Sequence, residues 1–212
     1  MTEPTATVTY IETDLAIDDL TNADWQRAEA IEIRTYWSGL EAPETRHFRA
    51  RLLWSDTHFF ARFEAEQHEP LIVNPKPNVT TKADELWERD VCEIFLAPDR
   101  GHPRRYLEFE AAPTGEWLDL AIEIDGDVRK TEWDFASGLE AAAAVEGTLV
   151  TIAIKIPLAR FGAPPVRGDI WLGNIFRCVG EGETRGYLAW RPTRTERPAF
   201  HVPEAFGKIE FV

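Results

Sequence analysis

The chain has 212 residues, 44% hydrophobic and 11% aromatic, with 37 acidic against 23 basic side chains and a formal net charge of −14. An acidic surface of this kind repels phosphate backbones and anionic lipid headgroups, so neither nucleic acid nor a membrane is expected as a partner. The length is enough for a sizeable core in one or two domains, and all-β sandwiches of roughly 200 residues commonly form one.

The first residues, Met1-Thr-Glu-Pro-Thr-Ala-Thr, have neither the basic nor the apolar part of a signal peptide, and no apolar run approaches the ~18 residues of a membrane span. A cytoplasmic chain is expected, or an extracellular one if a leader has been removed. Ile31-Glu-Ile-Arg-Thr35 alternates apolar and polar side chains. His47 to Trp54 and His58 to Glu66 are apolar runs joined by Ser55-Asp56-Thr57, which reads as a hairpin. The interval Gln67 to Glu88, with Pro70, Pro75 and Pro77, has no periodicity and reads as a long loop of the kind that binds or covers. Asp90 to Leu96, Arg105 to Ala111 and Trp117 to Ile124 read as strands. In the last, Leu118, Leu120, Ile122 and Ile124 recur with period two.

Leu139 to Val145 is Ala-rich and open to a helical reading. The β-branched run Thr148 to Ile156 after the turn at Glu146-Gly147 favours a hairpin instead. Pro157 to Phe161 suggests one helical turn with Pro at its first position. Asp169 to Val179 reads as a long strand, Thr193 to Ala205 as a second loop, and Gly186 to Trp190 and Lys208 to Phe211 as the closing strands. About ten short strands without a repeat or linker predict an all-β, two-sheet, mostly antiparallel β-sandwich with long connecting loops. Cys92 and Cys178 lie in apolar segments and read as buried free thiols rather than a disulfide framework.

Parity separates the polar residues of the Asp90 to Leu96 strand. Val91, Glu93 and Phe95 share one face, and Asp90, Cys92, Ile94 and Leu96 the other. A carboxylate between Val and Phe is costly without a partner, which is a reason to single out Glu93. Asn174 and Arg177 also differ in parity, so one site would need a bulge to gather both. The five histidines show no metal-ligand spacing, and no nucleophile elbow, phosphate loop or dinucleotide fingerprint occurs. Paired carboxylates can always be drawn from 37 acidic residues, so glycoside hydrolysis is not signalled by them.

Three segments, taken in order, carry a resemblance: Trp87-Glu-Arg-Asp90-Val-Cys-Glu93-Ile-Phe-Leu96, then Gly168-Asp-Ile-Trp171-Leu-Gly-Asn174-Ile-Phe-Arg177, then Trp190-Arg-Pro with Phe200-His201-Val-Pro203 and Phe206-Gly207. With Leu52-Leu-Trp54, Tyr106-Leu-Glu-Phe109 and Ile154-Lys-Ile-Pro157 between them, the chain resembles the carbohydrate-binding module family 9 domains and their stand-alone relatives. The resemblance implies that residues 1–212 form a single carbohydrate-binding-like sandwich that is not an enzyme. It also implies structural calcium and a slot in which two Trp side chains hold a sugar unit. Trp87 and Glu93 match the Trp and the acidic residue of that site. Trp190 is the matching second wall, Asn174 lies in a strand that supplies an amide, and Arg177 is a further ligand-binding candidate.

The chemistry agrees with that set: an aromatic platform suits the apolar face of a sugar ring, and carboxylate, amide and guanidinium groups suit its hydroxyls. Each residue also has a plainer reading. Trp54, Trp117 and Trp171 lie inside apolar strands and belong to the core or its edge, Trp190 could equally lid the core, and Glu93 could pair with an Arg. Asp125-Gly-Asp127 is a candidate for calcium. Methionine-ligated haem is excluded because the only methionine is Met1. The rival readings are a protein–protein interaction domain or homo-oligomer that kept the fold and lost the sugar, and a glycan hydrolase or lyase working through Glu93 and Asp90.

Overall fold

β-Branched and aromatic residues in period-two runs, cut by turn residues every few positions, leave the chain little choice but strands. A computed structural model describes residues 5–212, so Met1 to Pro4, the start of the segment read for a leader, lie outside it. Thirteen strands follow in order: β1 Thr5–Tyr10, β2 Ile31–Ile33, β3 Phe48–Trp54, β4 His58–Glu66, β5 Val91–Ala97, β6 Arg105–Ala111, β7 Trp117–Asp125, β8 Val128–Glu132, β9 Glu140–Glu146, β10 Leu149–Pro157, β11 Ile170–Val179, β12 Gly186–Ala189 and β13 Gly207–Phe211.

The strands form a β-sandwich whose two layers are one continuous curled sheet. One layer runs β8-β7-β6-β5-β11, the other β3-β4-β10-β9, and β13 and β1 join them at the edge. β12 pairs with β11 beside β13, and β2 with β3 beside β1. Pairing is antiparallel except at β1, which is parallel to both β13 and β3. The expected two sheets are thus hydrogen-bonded to each other through a strand that was not anticipated, although Thr5-Ala-Thr-Val-Thr-Tyr10 has the period-two signature. β8 was not anticipated either. The Ala-rich β9 is a strand, as its hairpin setting suggested. Pro157 ends β10, and a single 3-10 turn, Leu158–Phe161, follows it.

Between the layers, Leu52, Phe59, Ala61, Phe63 and Ile152 meet Ile94, Phe109, Trp171, Ile175 and Phe211. Phe59 and Trp171 stack across the gap with ring centroids 6.5 Å apart. Each of the Leu, Ile and Phe side chains contributes about 1.5–3 kcal/mol by leaving water. Trp54 and Trp171 are core and Trp117 packs at its edge. Cys92 and Cys178 are buried free thiols on opposite faces of the sheet. The outer face of the β3–β4–β10 layer is closed by Ile11, Leu15 and Trp25.

Candidate functional site

The other outer face, that of β5, β6, β7 and β11, carries the cleft. The register places Glu93 of β5 directly opposite Glu110 of β6, and Phe95 opposite Glu108, while Phe176 of β11 stands beside Glu93. Period-two alternation therefore sends Glu93, Glu108 and Glu110 to one face, among Val91, Phe95, Leu118, Leu120 and Cys178. All three carboxylates are buried, and Glu110 is inaccessible to solvent. Burial pushes each carboxyl up from its usual range, and the negative charges of neighbouring members push Glu93 and Glu110 further. Cys178 donates a weak thiol hydrogen bond to Glu93 Oε1 at 3.4 Å.

Above these carboxylates lies a cavity of about 300 Å³ with Glu93 and Glu108 in its floor and Trp87, Trp133, Tyr187 and Phe200 in its walls. That is the small end of the range for small-molecule sites. Trp87 sits on the 3-10 turn Leu86–Glu88, anchored by buried Leu86. Arg185 fastens the turn by donating to the carbonyls of Trp87 (2.5 Å), Arg89 (2.9 Å) and Gly180 (2.6 Å). Trp133 follows β8 and faces Trp87, with ring centroids 6.1 Å apart at 48°. The gap is too narrow for a ring between parallel faces, which needs about twice the 3.5–4.0 Å carbon contact distance. The pair forms a corner on which one ring can stack.

Lys82 couples the two walls. From the loop that carries Trp87 it pairs with buried Asp119 Oδ1 at 2.8 Å and donates to the carbonyls of Trp133 (3.0 Å) and Phe135. The far side is closed by the loop before β13. Phe200 stacks on Phe176 with centroids 4.0 Å apart, and His201 Nδ1 shares a 2.7 Å hydrogen bond with Tyr106 Oη. Burial holds His201 down to about 3, so the ring is neutral.

Of the five residues expected to bind ligand, the structure brings Trp87 and Glu93 to the cavity. It does not bring Asn174, Arg177 or Trp190. Asn174 is spent on the backbone: Nδ2 donates to the Arg191 carbonyl at 2.8 Å, and Oδ1 accepts from Arg191 N at 2.9 Å. Arg177 points to the opposite face, where it donates to Gln67 Oε1 (2.6 Å) and the Arg46 carbonyl (3.0 Å). The β5–β11 ladder is unbroken between Ala97 and Val91, so no bulge re-aims either side chain. Trp190 packs against the sandwich core, its ring so close to Gly207 that a Cβ there would meet it at 2.6 Å. The second wall is Trp133.

Asp90 faces away from Glu93 and is held by Gln67 Nε2 (2.6 Å) and the amides of Ile72 and Gly180. The two cannot flank one bond. Glu108 and Glu110 were missed, although each sits between apolar neighbours in β6 as Glu93 does in β5. Trp133 was missed with its strand, although a Trp in a polar stretch was the signal that marked Trp87.

For a metal, the turn Asp125-Gly-Asp127 is the exposed tip of the β7–β8 hairpin, where Asp125 pairs with Lys130 at 3.2 Å. Among the described residues, the one group of three ligand-bearing side chains that converges is Glu93, Glu108 and Glu110, with ligand atoms within 4.8 Å of one another. Among the described residues, too, no helix is long and apolar enough to cross a membrane.

The sequence model of carbohydrate-binding family 9 matches residues 22–211. A protein of the fungus Arthroderma benhamiae named "Extracellular protein" is 26% identical over 176 residues, covering 76% of this chain and 77% of its own. Among solved structures, a protein of Bacteroides uniformis superposes with a TM-score of 0.79 at 17% identity over all of both chains. A family 9 carbohydrate-binding module of Caldicellulosiruptor kristjanssonii, solved with glucose and with cellotriose, gives 0.69. The glucose complex is 15% identical over 99% of this chain and 96% of that one.

Proposed function

The chain belongs to carbohydrate-binding family 9, and from that premise we propose that it binds a neutral sugar unit or glycan end in the cavity over Glu93, against the corner made by Trp87 and Trp133, without catalysing a reaction on it. The observation that carries this reading is the pairing of an aromatic corner with buried carboxylates in one cavity of about 300 Å³. A sugar presents a C–H face to an indole and hydroxyl donors to a carboxylate, and both complements stand here side by side. The similar module from Caldicellulosiruptor was solved with glucose and cellotriose, which makes short glucans the first ligands to try.

The non-catalytic part rests on arrangement. Glycoside hydrolysis needs two carboxyl groups on either side of the scissile bond. Glu93, Glu108 and Glu110 converge on one face of the sheet with ligand atoms within 4.8 Å of one another, and Asp90 is on the other face. The name of the fungal relative suits the extracellular one of the two settings expected from the sequence.

The test is calorimetric titration with glucose, cellotriose and a broad glycan panel. Trp87→Ala and Trp133→Ala are each expected to abolish measurable binding, since stacking on one aromatic face is worth on the order of 1–3 kcal/mol by analogy with base stacking. Trp190→Ala is expected to lower thermal stability and leave the affinity of the folded fraction unchanged. No heat with any glycan from a folded protein, or loss of binding in Trp190→Ala alone, would overturn the assignment.

A further inference from the structure

We propose that Glu93, Glu108 and Glu110 hold a hard divalent cation of the calcium type in the floor of the cavity, with coordination positions open to ligand hydroxyls. Two independent observations point to it. The first is geometric. The three carboxylates offer oxygens within 4.8 Å of one another. Oxygens this close can converge on one ion, and calcium takes oxygen ligands at about 2.3–2.6 Å. An all-oxygen, all-carboxylate set suits such an ion and disfavours softer metals.

The second is that three of the six carboxylate oxygens have no hydrogen-bond donor. Both oxygens of Glu110 and Oε2 of Glu108 are buried without a hydrogen-bond donor. Glu110 has no accessible surface at all. Among the described residues, no Lys or Arg forms an ion pair with any of the three, and the nearest His, His201, stands 3.9 Å from Glu108 Oε2 with its Nδ1 already engaged by Tyr106. Buried carboxylates in this state are costly unless a cation or protons neutralise them. Of the three, Glu93 and Glu108 line the cavity, and Glu110 lies behind them.

A cation at this point changes what the cavity reads. Three carboxylates rarely supply all of the 6–8 oxygens calcium takes, so the remaining positions face the cavity, where two adjacent hydroxyls of a sugar fill them. This use of the ion rests on the sugar reading above; the ion's own binding does not.

Protein stripped with a chelator and dialysed is titrated with calcium chloride, with bound metal counted by mass spectrometry and thermal midpoint recorded. One calcium per chain, a raised midpoint and terbium luminescence sensitised by Trp87 and Trp133 are expected. Glu110→Gln keeps the side-chain shape and should weaken calcium about tenfold or more, since affinity follows ligand charge. Glu108→Gln provides a second reading if Glu110→Gln fails to fold. No bound metal, no heat and an unchanged midpoint with calcium would overturn the proposal and leave three carboxyls sharing protons. Glucan titration of stripped and calcium-loaded protein separates the two readings. Sugar binding unaffected by the chelator overturns the ion's part in recognition while the sugar cavity stands. Calcium binding without response to any glycan supports the ion and removes the sugar.

Discussion

At the scale of single residues, Lys82 ties the two walls of the site together without lining it. Its ammonium neutralises Asp119, which is fully buried and also accepts from Ser137 N at 2.6 Å, and it caps the carbonyls of the segment that presents Trp133. Lys82→Met leaves Asp119 charged without its partner. Breaking a buried pair costs about 3–5 kcal/mol, and because the Lys82 side chain is 25% exposed the lower end applies. A fall of about 6–12 °C in the melting midpoint is expected, with weaker sugar binding because both walls lose their shared anchor. An unchanged midpoint would show that Asp119 is neutralised some other way.

Asp14 is a second residue whose role can be read by pH. Hydrogen bonds from Ser55 (2.5 Å) and Thr57 (2.8 Å), with His58 at 2.6 Å, outweigh burial and hold its carboxyl below the ordinary value of 3.8. A folded value below the unfolded one means stability that is present above about pH 4 and lost as the pH falls through the folded value. Wild type and Asp14→Asn should therefore differ in chemical-denaturation stability at pH 7 and converge in strong acid.

At the scale of elements, what was legible in the sequence followed from local periodicity. The parity of β5 put Glu93 and Asp90 on opposite faces because a strand alternates whatever its neighbours are. The second wall was not legible from parity, because it depends on which hairpin folds back beside the Trp87 loop. Gly126-Asp127 after the apolar run of β7 is a two-residue hairpin signal, and it marks the polar β8 and so Trp133 once the turn is recognised. Asn174 and Arg177 misled because an amide and a guanidinium in a strand look alike whether they meet a ligand or a loop carbonyl.

β1 has a consequence for folding that its neighbours lack. It is the one strand that bonds to β13 on one side and β3 on the other, and its Val8 is fully buried. A proline in a central strand removes a ladder donor and has no place to go. Val8→Pro should open the sheet at the seam between the layers, expose two strand edges and promote aggregation. Circular dichroism should show loss of the cooperative thermal transition, and a sharp melt near the wild-type midpoint would argue that the seam is dispensable.

At the scale of the whole molecule, the net charge of −14 selects among sugars before any contact is made. A field of one sign raises the local concentration of ligands of the other sign and lowers that of its own, and salt screens the effect over about 8–10 Å. Stacking on an indole and hydrogen bonding by hydroxyls involve no net ligand charge, so the affinity for a neutral glucan should hold constant from low to high sodium chloride. In chelator-stripped protein, a uronate- or sulfate-bearing glycan meets both the long-range repulsion and the carboxylates of the floor. Its binding should be undetectable at low salt and at most emerge as salt is added. Parallel titrations of glucan and oligouronate across the same salt series measure the difference, and tight, salt-weakened binding of the anionic glycan would mean that an exposed cation such as Arg129, at the cavity rim, governs recognition in place of the carboxylate floor.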